Sequence, residues 1–150
     1  MFTPQEQEIF DELAPVVQGL GANVVDISWK VSHGIGQLHL IVFRKEGIGH
    51  KDLAEIHRVV AARIEVMTNC ESISMELSTP GIERVIKNQW EYDLYLGKGI
   101  KIMLLDGNDW EYGVIQRVTD DSVIMLQSDE NIKEFPRERI RKAKLDPQQD

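Results

Sequence analysis

With 150 residues, 42% of them hydrophobic and 28% charged, the chain has the composition of a soluble globular protein and can bury a core in one domain or two small ones. A net charge of −8 argues against indiscriminate binding of nucleic acid, which needs clustered Lys and Arg. No apolar run approaches the roughly 20 residues that span a bilayer, and the lone Cys70 excludes an intramolecular disulfide or a cysteine zinc cluster.

The first residues, Met-Phe-Thr-Pro-Gln-Glu, have neither a basic region nor an apolar core, so no secretory signal is expected and the cytoplasm is the expected compartment. Thr3-Pro4-Gln5-Glu6 reads as a helix start, with Thr3 as N-cap, Pro4 at the first helical position and Glu6 at the capping-box position. Ile9, Phe10, Leu13, Val16, Val17 and Leu20 then recur at helical spacing, and Gly21 supplies a C-cap. Pro15 lies inside this pattern and is expected to kink or interrupt the helix near Glu12. Asn23 to Val31 alternates imperfectly, but Val24, Val25, Ile27, Trp29 and Val31 favour a strand. Ser32-His33-Gly34-Ile35-Gly36 is turn material, and Leu38 to Phe43 is the returning strand of a hairpin. Leu53, Ile56, His57, Val60, Ile64 and Met67 keep the spacing of a second helix.

Ile73, Met75 and Leu77 alternate with Ser74, Glu76 and Ser78, which is the signature of a third strand. Pro80-Gly81 should end it, because proline lacks a ladder donor and glycine permits positive φ. The order α-β-β-α-β predicts an α+β N-terminal domain over 1–88, a three-stranded sheet with two helices. A linker over 89–95 leads to a change of grammar. Ile100 to Leu105, Trp110 to Val118, Ser122 to Leu126 and Ile132 to Phe135 are short strands joined by polar turns. Pro136 to Arg139 reads as one tight helical turn before a last strand, Ile140 to Leu145. Five strands in so short a span fit an all-β SH3-like small barrel over 96–150, with a frayed tail from Asp146.

Catalytic and cofactor motifs are missing. There is no P-loop, and Gly34-Ile35-Gly36 lacks the third glycine and following helix of a dinucleotide site. Ser78 and Thr79 lie outside any nucleophile elbow, and His33, His39, His50 and His57 have no metal-ligand spacing. We therefore expect no enzyme, no cofactor and no metal. Charge is uneven: Lys133, Arg137, Arg139, Arg141, Lys142 and Lys144 face only Glu134 and Glu138 within 133–144, whereas residues 1–12 carry four carboxylates and no basic side chain. Arginine suits phosphate because its planar fork donates two hydrogen bonds at once, so Arg84 and Lys87 together with the basic terminal strand are candidate contacts. A solvated surface explains the same charges. Trp90, Tyr92, Tyr95, Trp110 and Tyr112 read chiefly as packing residues, with base stacking as the alternative.

Leu77-Ser78-Thr79-Pro80-Gly81-Ile82-Glu83-Arg84 resembles the signature of the ribosome maturation factor RimP family, usually Val-Ser-Ser-Pro-Gly-Leu-Asp-Arg-Pro-Leu. Leu13-Ala14-Pro15-Val16-Val17, Val24 to Trp29, Leu96-Gly97-Lys98 and Ile140 to Leu145 are similar to further family stretches in the same order. Thr79, Ile82, Glu83 and Val85 depart from the pattern, the last replacing a proline and leaving the segment after the turn less rigid. The resemblance implies a non-catalytic assembly factor that binds the immature small ribosomal subunit. Its partners would be small-subunit rRNA and a basic ribosomal protein, the twelfth of that subunit, with no membrane and with the factor acting as a monomer. The signature turn together with the local basic charge makes Ser78, Thr79, Gly81, Glu83, Arg84, Lys87, Arg137, Arg139, Arg141 and Lys142 the expected ribosome-binding residues. A general RNA-binding or translation-associated module that uses the barrel alone is the alternative.

Overall fold

The computed structural model describes residues 2–70 and 72–150. They divide into two compact units, Met1–Pro80 and Gly81–Asp150. In the first, helix α1 (Pro4–Gly19) opens with the expected capping box: the Glu6 N–H donates to Thr3 Oγ1 at 3.1 Å, and the Thr3 N–H donates to Glu6 Oε1 at 2.9 Å. Helix α1 runs through Pro15 without a break. Pro15 is exposed, so the carbonyl deprived of its intrahelical donor faces water and the interruption expected there is not required. Gly21 adopts φ +87° and donates to Gln18 O, ending the helix in the left-handed conformation that glycine tolerates.

Strands β1 (Asn23–Ser32) and β2 (Ile35–Phe43) form an antiparallel hairpin, closed by His33 and Gly34, both at positive φ. Two positive φ values match the twist of the flanking strands. A register shift between Val24 and Asp26 explains the imperfect alternation of β1, since Val24 and Val25 are both buried before Ile27 and Trp29 resume the pattern. Helix α2 (His50–Met67) crosses to β3 (Ser72–Ser78), which pairs parallel with β2 and gives the order β1-β2-β3. Ile9, Leu13 and Val17 from α1 and Ile56, Val60 and Ile64 from α2 bury one sheet face with Ile27, Trp29, Leu38, Leu40 and Val42. The opposite face keeps its polar side chains.

The second unit contains the short helix α3 (Glu91–Leu94) and five strands: β4 (Gly99–Leu104), β5 (Glu111–Val118), β6 (Ser122–Leu126), β7 (Ile132–Pro136) and β8 (Ile140–Leu145). They form one antiparallel sheet in the order β7-β6-β5-β4-β8. The expected barrel is met as far as this five-stranded sheet; among the described residues no ladder joins β7 to β8 to close it. Ile100, Ile102, Ile115, Val123, Met125, Phe135 and Ala143 form the inner face, with Tyr92 and Tyr95 also buried. Gly113 is required by close approach: a Cβ there would lie 2.4 Å from Met125 Cγ and 2.6 Å from the Leu126 carbonyl oxygen. The tail is ordered rather than frayed. Pro147–Gln149 forms a 3-10 turn capped by Asp146, whose N–H donates to Gly99 O at 2.9 Å.

Candidate functional site

Ser78 is the last residue of β3, and its side chain lies on the open polar face of the first sheet. Register places His39 opposite Glu76 and Ser28, so Ser78 is a diagonal neighbour of His39. Ser78 Oγ lies 3.0 Å from His39 Nε2, a contact the sequence did not reveal because strand register was unknown. That spacing is within reach for a hydroxyl and a base, yet among the described residues no hydrogen bond joins His39 to a carboxylate that would orient it. His39 also lines a shallow depression of about 220 Å³ together with Ser28, Lys30, Gln37, Leu38, Ser74 and Glu76.

Thr79, Gly81, Ile82 and Glu83 are exposed, and the Arg84 N–H closes a turn onto Gly81 O at 3.0 Å. Gly81 is not at positive φ, and a Cβ there would meet nothing within 4 Å. The turn is therefore ended by Pro80 and by the Gly81–Arg84 bond, not by the conformational freedom of glycine. Val85 bridges to Lys144, the Ile86 N–H donates to Ala143 O at 2.9 Å, and the Leu145 N–H donates to Arg84 O at 2.9 Å. These bonds hold residues 84–86 along β8 and replace the rigidity that the family's proline would supply.

Arg84 is anchored. Its Nε and Nη2 donate to the two oxygens of Glu91 at 3.0 and 2.9 Å, and only 8% of its side chain is exposed. Glu91 is fully buried and accepts further bonds from the backbone N–H groups of Lys87 and Asn88, from Asn88 Nδ2, and from the Tyr95 hydroxyl at 3.4 Å. One carboxylate thus gathers the whole segment that follows the signature turn. Sequence reasoning passed over Glu91 because it fell in the expected linker. The signal available was Asn88-Gln89-Trp90-Glu91, an Asn-x-x-Glu capping pattern. Burial, with the Glu91 charge close by, pushes the Tyr95 hydroxyl well above the ordinary tyrosine range, and burial pushes that of Tyr92 up to about 12.

The basic candidates divide by what they touch. The Arg137 guanidinium donates to Thr119 O, Gln89 O and Gln89 Oε1 and stacks over Tyr92 at 5.3 Å, so it fastens residue 89 to the sheet. Arg139 pairs with Asp106 with half of its side chain still exposed. Arg141 rests against the Met103 sulfur; it, Lys142 and Lys87 are exposed. The structure thus brings Arg84, Lys87, Arg141 and Lys142 to β8 and its flanking segment, with Arg84 and Arg137 as braces. Among the described residues no group of three or more His, Cys, Asp or Glu side chains is placed to hold a metal ion, and no helix is long and apolar enough to cross a membrane.

The RimP N-terminal domain family matches residues 12–83. A ribosome maturation factor RimP from Borrelia hermsii is 30% identical to this chain over 138 residues, covering 92% of the chain and 94% of the relative. The same factor from Borrelia turicatae is 28% identical with the same coverage, and that from Borreliella afzelii is 25% identical over 94% of this chain and 95% of its own length. Similarity therefore runs across both units and through the braced turn, and the chain belongs to the RimP family.

Proposed function

We propose that this chain is a non-catalytic ribosome assembly factor that binds the immature small ribosomal subunit and assists its maturation in the cytoplasm. The observation that carries this reading is end-to-end similarity to relatives named ribosome maturation factor RimP, over more than nine-tenths of both chains. The mechanism follows from binding alone. A factor that contacts one conformation of a pre-subunit better than others raises that conformation's population, and leaves when maturation removes the contacts. The partners are small-subunit rRNA and a basic ribosomal protein, the twelfth of that subunit. A net charge of −8 favours encounter with the latter. The five strands of the second unit are best read as an SH3-like barrel.

Ser78, Thr79, Gly81 and Glu83 would present the turn, while Lys87, Arg139, Arg141 and Lys142 would reach the partner. Arg84 and Arg137 would act as positioning residues, because their forks are already engaged by Glu91, Gln89 and Thr119. Reversing Arg139, Arg141 and Lys142 to Glu together tests the assignment. The folded variant should lose most of its co-sedimentation with immature small subunits, and undiminished co-sedimentation would remove β8 from the interface.

A further inference from the structure

The outer face of the second sheet carries a basic array that adds Lys101 and Lys144 to the candidates Arg141 and Lys142. Ile100, Ile102 and Ala143 point into the core, so Lys101 and Met103 of β4 and Lys142 and Lys144 of β8 point outward. Register sets Lys101 directly opposite Lys144 on one side and opposite Tyr112 of β5 on the other. Val85, bridged to Lys144, extends the same row, and Lys101 Nζ lies 4.9 Å from the Trp110 ring centroid. Tyr112 is 45% exposed.

Like charges directly opposite on adjacent strands repel, and proteins ordinarily avoid the arrangement. The chain has 25 carboxylates against 17 basic side chains, and it places carboxylates beside Arg44, Arg63, Arg84, Lys133 and Arg139. Among the described residues none is paired with Lys101, Arg141, Lys142 or Lys144. Arg141 falls at the register shift between Met103 and Leu104 and rests against the sulfur of outward Met103, so it joins the three lysines on this face. Four unneutralised cations on one face, beside an exposed tyrosine in the same row, match the two requirements of single-stranded nucleic acid: phosphates spaced along a track and a ring on which a base stacks.

We infer that the outer face of β4, β5 and β8 binds single-stranded RNA, with Lys101, Arg141, Lys142 and Lys144 on the phosphates and Tyr112 stacked on a base. This deepens the assembly-factor reading and rests on it for the identity of the RNA as an unpaired segment of immature small-subunit rRNA. A basic protein is disfavoured on this face by charge.

The test uses the full chain and two readouts: anisotropy of a labelled single-stranded oligoribonucleotide across salt, and co-sedimentation with immature small subunits. Four phosphate contacts predict a slope of log affinity against log salt of about −2.8, hence roughly 50-fold weaker binding at 200 mM than at 50 mM salt. Lys101→Gln with Lys144→Gln should flatten that slope by about 1.4 without lowering thermal stability, since the substitutions relieve a repulsion. Tyr112→Ala should weaken binding about tenfold and leave the slope unchanged. Absence of RNA binding by the wild type at low salt, or an unaltered slope in the double variant, overturns the inference. If those variants lose subunit binding while no RNA binding exists, the face docks protein and the inference is likewise overturned. Failure of the wild type to co-sediment, with the RNA slope as predicted, would instead sink the assembly reading and leave this face standing.

Discussion

Replacing Glu91 by Gln should unfold most of what organises the signature segment. The carboxylate is fully buried and accepts from Arg84, from two backbone N–H groups, from Asn88 Nδ2 and from Tyr95, and every one of these partners is a donor. A glutamine can present one oxygen to this ring; its amide group then meets donors with a donor and leaves the Arg84 charge buried and unpaired. Breaking a buried ion pair from one side costs about 3–5 kcal/mol. A unit the size of Gly81–Asp150 has a stability of roughly 4–10 kcal/mol, so the loss is a large share of the whole. With a urea dependence of about 1–1.5 kcal/mol per molar, the midpoint of this unit should fall by about 2 M or more. Amide exchange at Lys87 and Asn88, read by NMR, should accelerate before global unfolding. In a double-mutant cycle with Arg84→Met the coupling should be about 1–3 kcal/mol. A midpoint within about 0.5 M of wild type, with those two amides still protected, would refute the bracing role.

Alkali should act on the same unit. Burial raises the folded-state pKa of Tyr92 to about 12, above its unfolded value of about 10, so folding retains a proton that the unfolded chain releases. This contribution is fully present below pH 10 and is lost as pH rises towards 12; absorbance at 295 nm should show Tyr92 and Tyr95 ionising together with unfolding, and their ionisation in the folded state near pH 10 would contradict the burial. Ser78→Ala should break the contact with His39 at a cost of about 1 kcal/mol in folding stability while leaving co-sedimentation with immature subunits within about twofold of wild type, since the lost bond joins two residues of this chain and not the chain to its partner. Loss of any measured hydrolysis in that variant would revive a catalytic reading.

Elements with strong local signals were legible in the sequence. The Thr3–Glu6 capping box, the Gly21 helix end and the short strands of the second unit came out near their predicted bounds, because periodicity and capping are local properties. Pro15 lies off the buried Ile9–Leu13–Val17 stripe, and on the solvent side a missing donor costs little, so the helix continues through it without the interruption that was one of the two expected outcomes. Gly81 misled because a glycine in a turn suggests positive φ, yet the backbone there does not use it. The candidate site was legible only in part. Its turn and its basic strand carry sequence patterns, but the fork of Arg84 on Glu91 and the row Tyr112–Lys101–Lys144 arise from folding and register, which no spacing along the chain encodes.

The most direct test of the account is equilibrium binding of the full chain to purified immature and mature small ribosomal subunits at the same salt. An assembly factor that acts by favouring one pre-subunit conformation must bind the immature particle more tightly, by tenfold or about 1.4 kcal/mol at least. Equal affinity for both particles, or binding to neither, would contradict it.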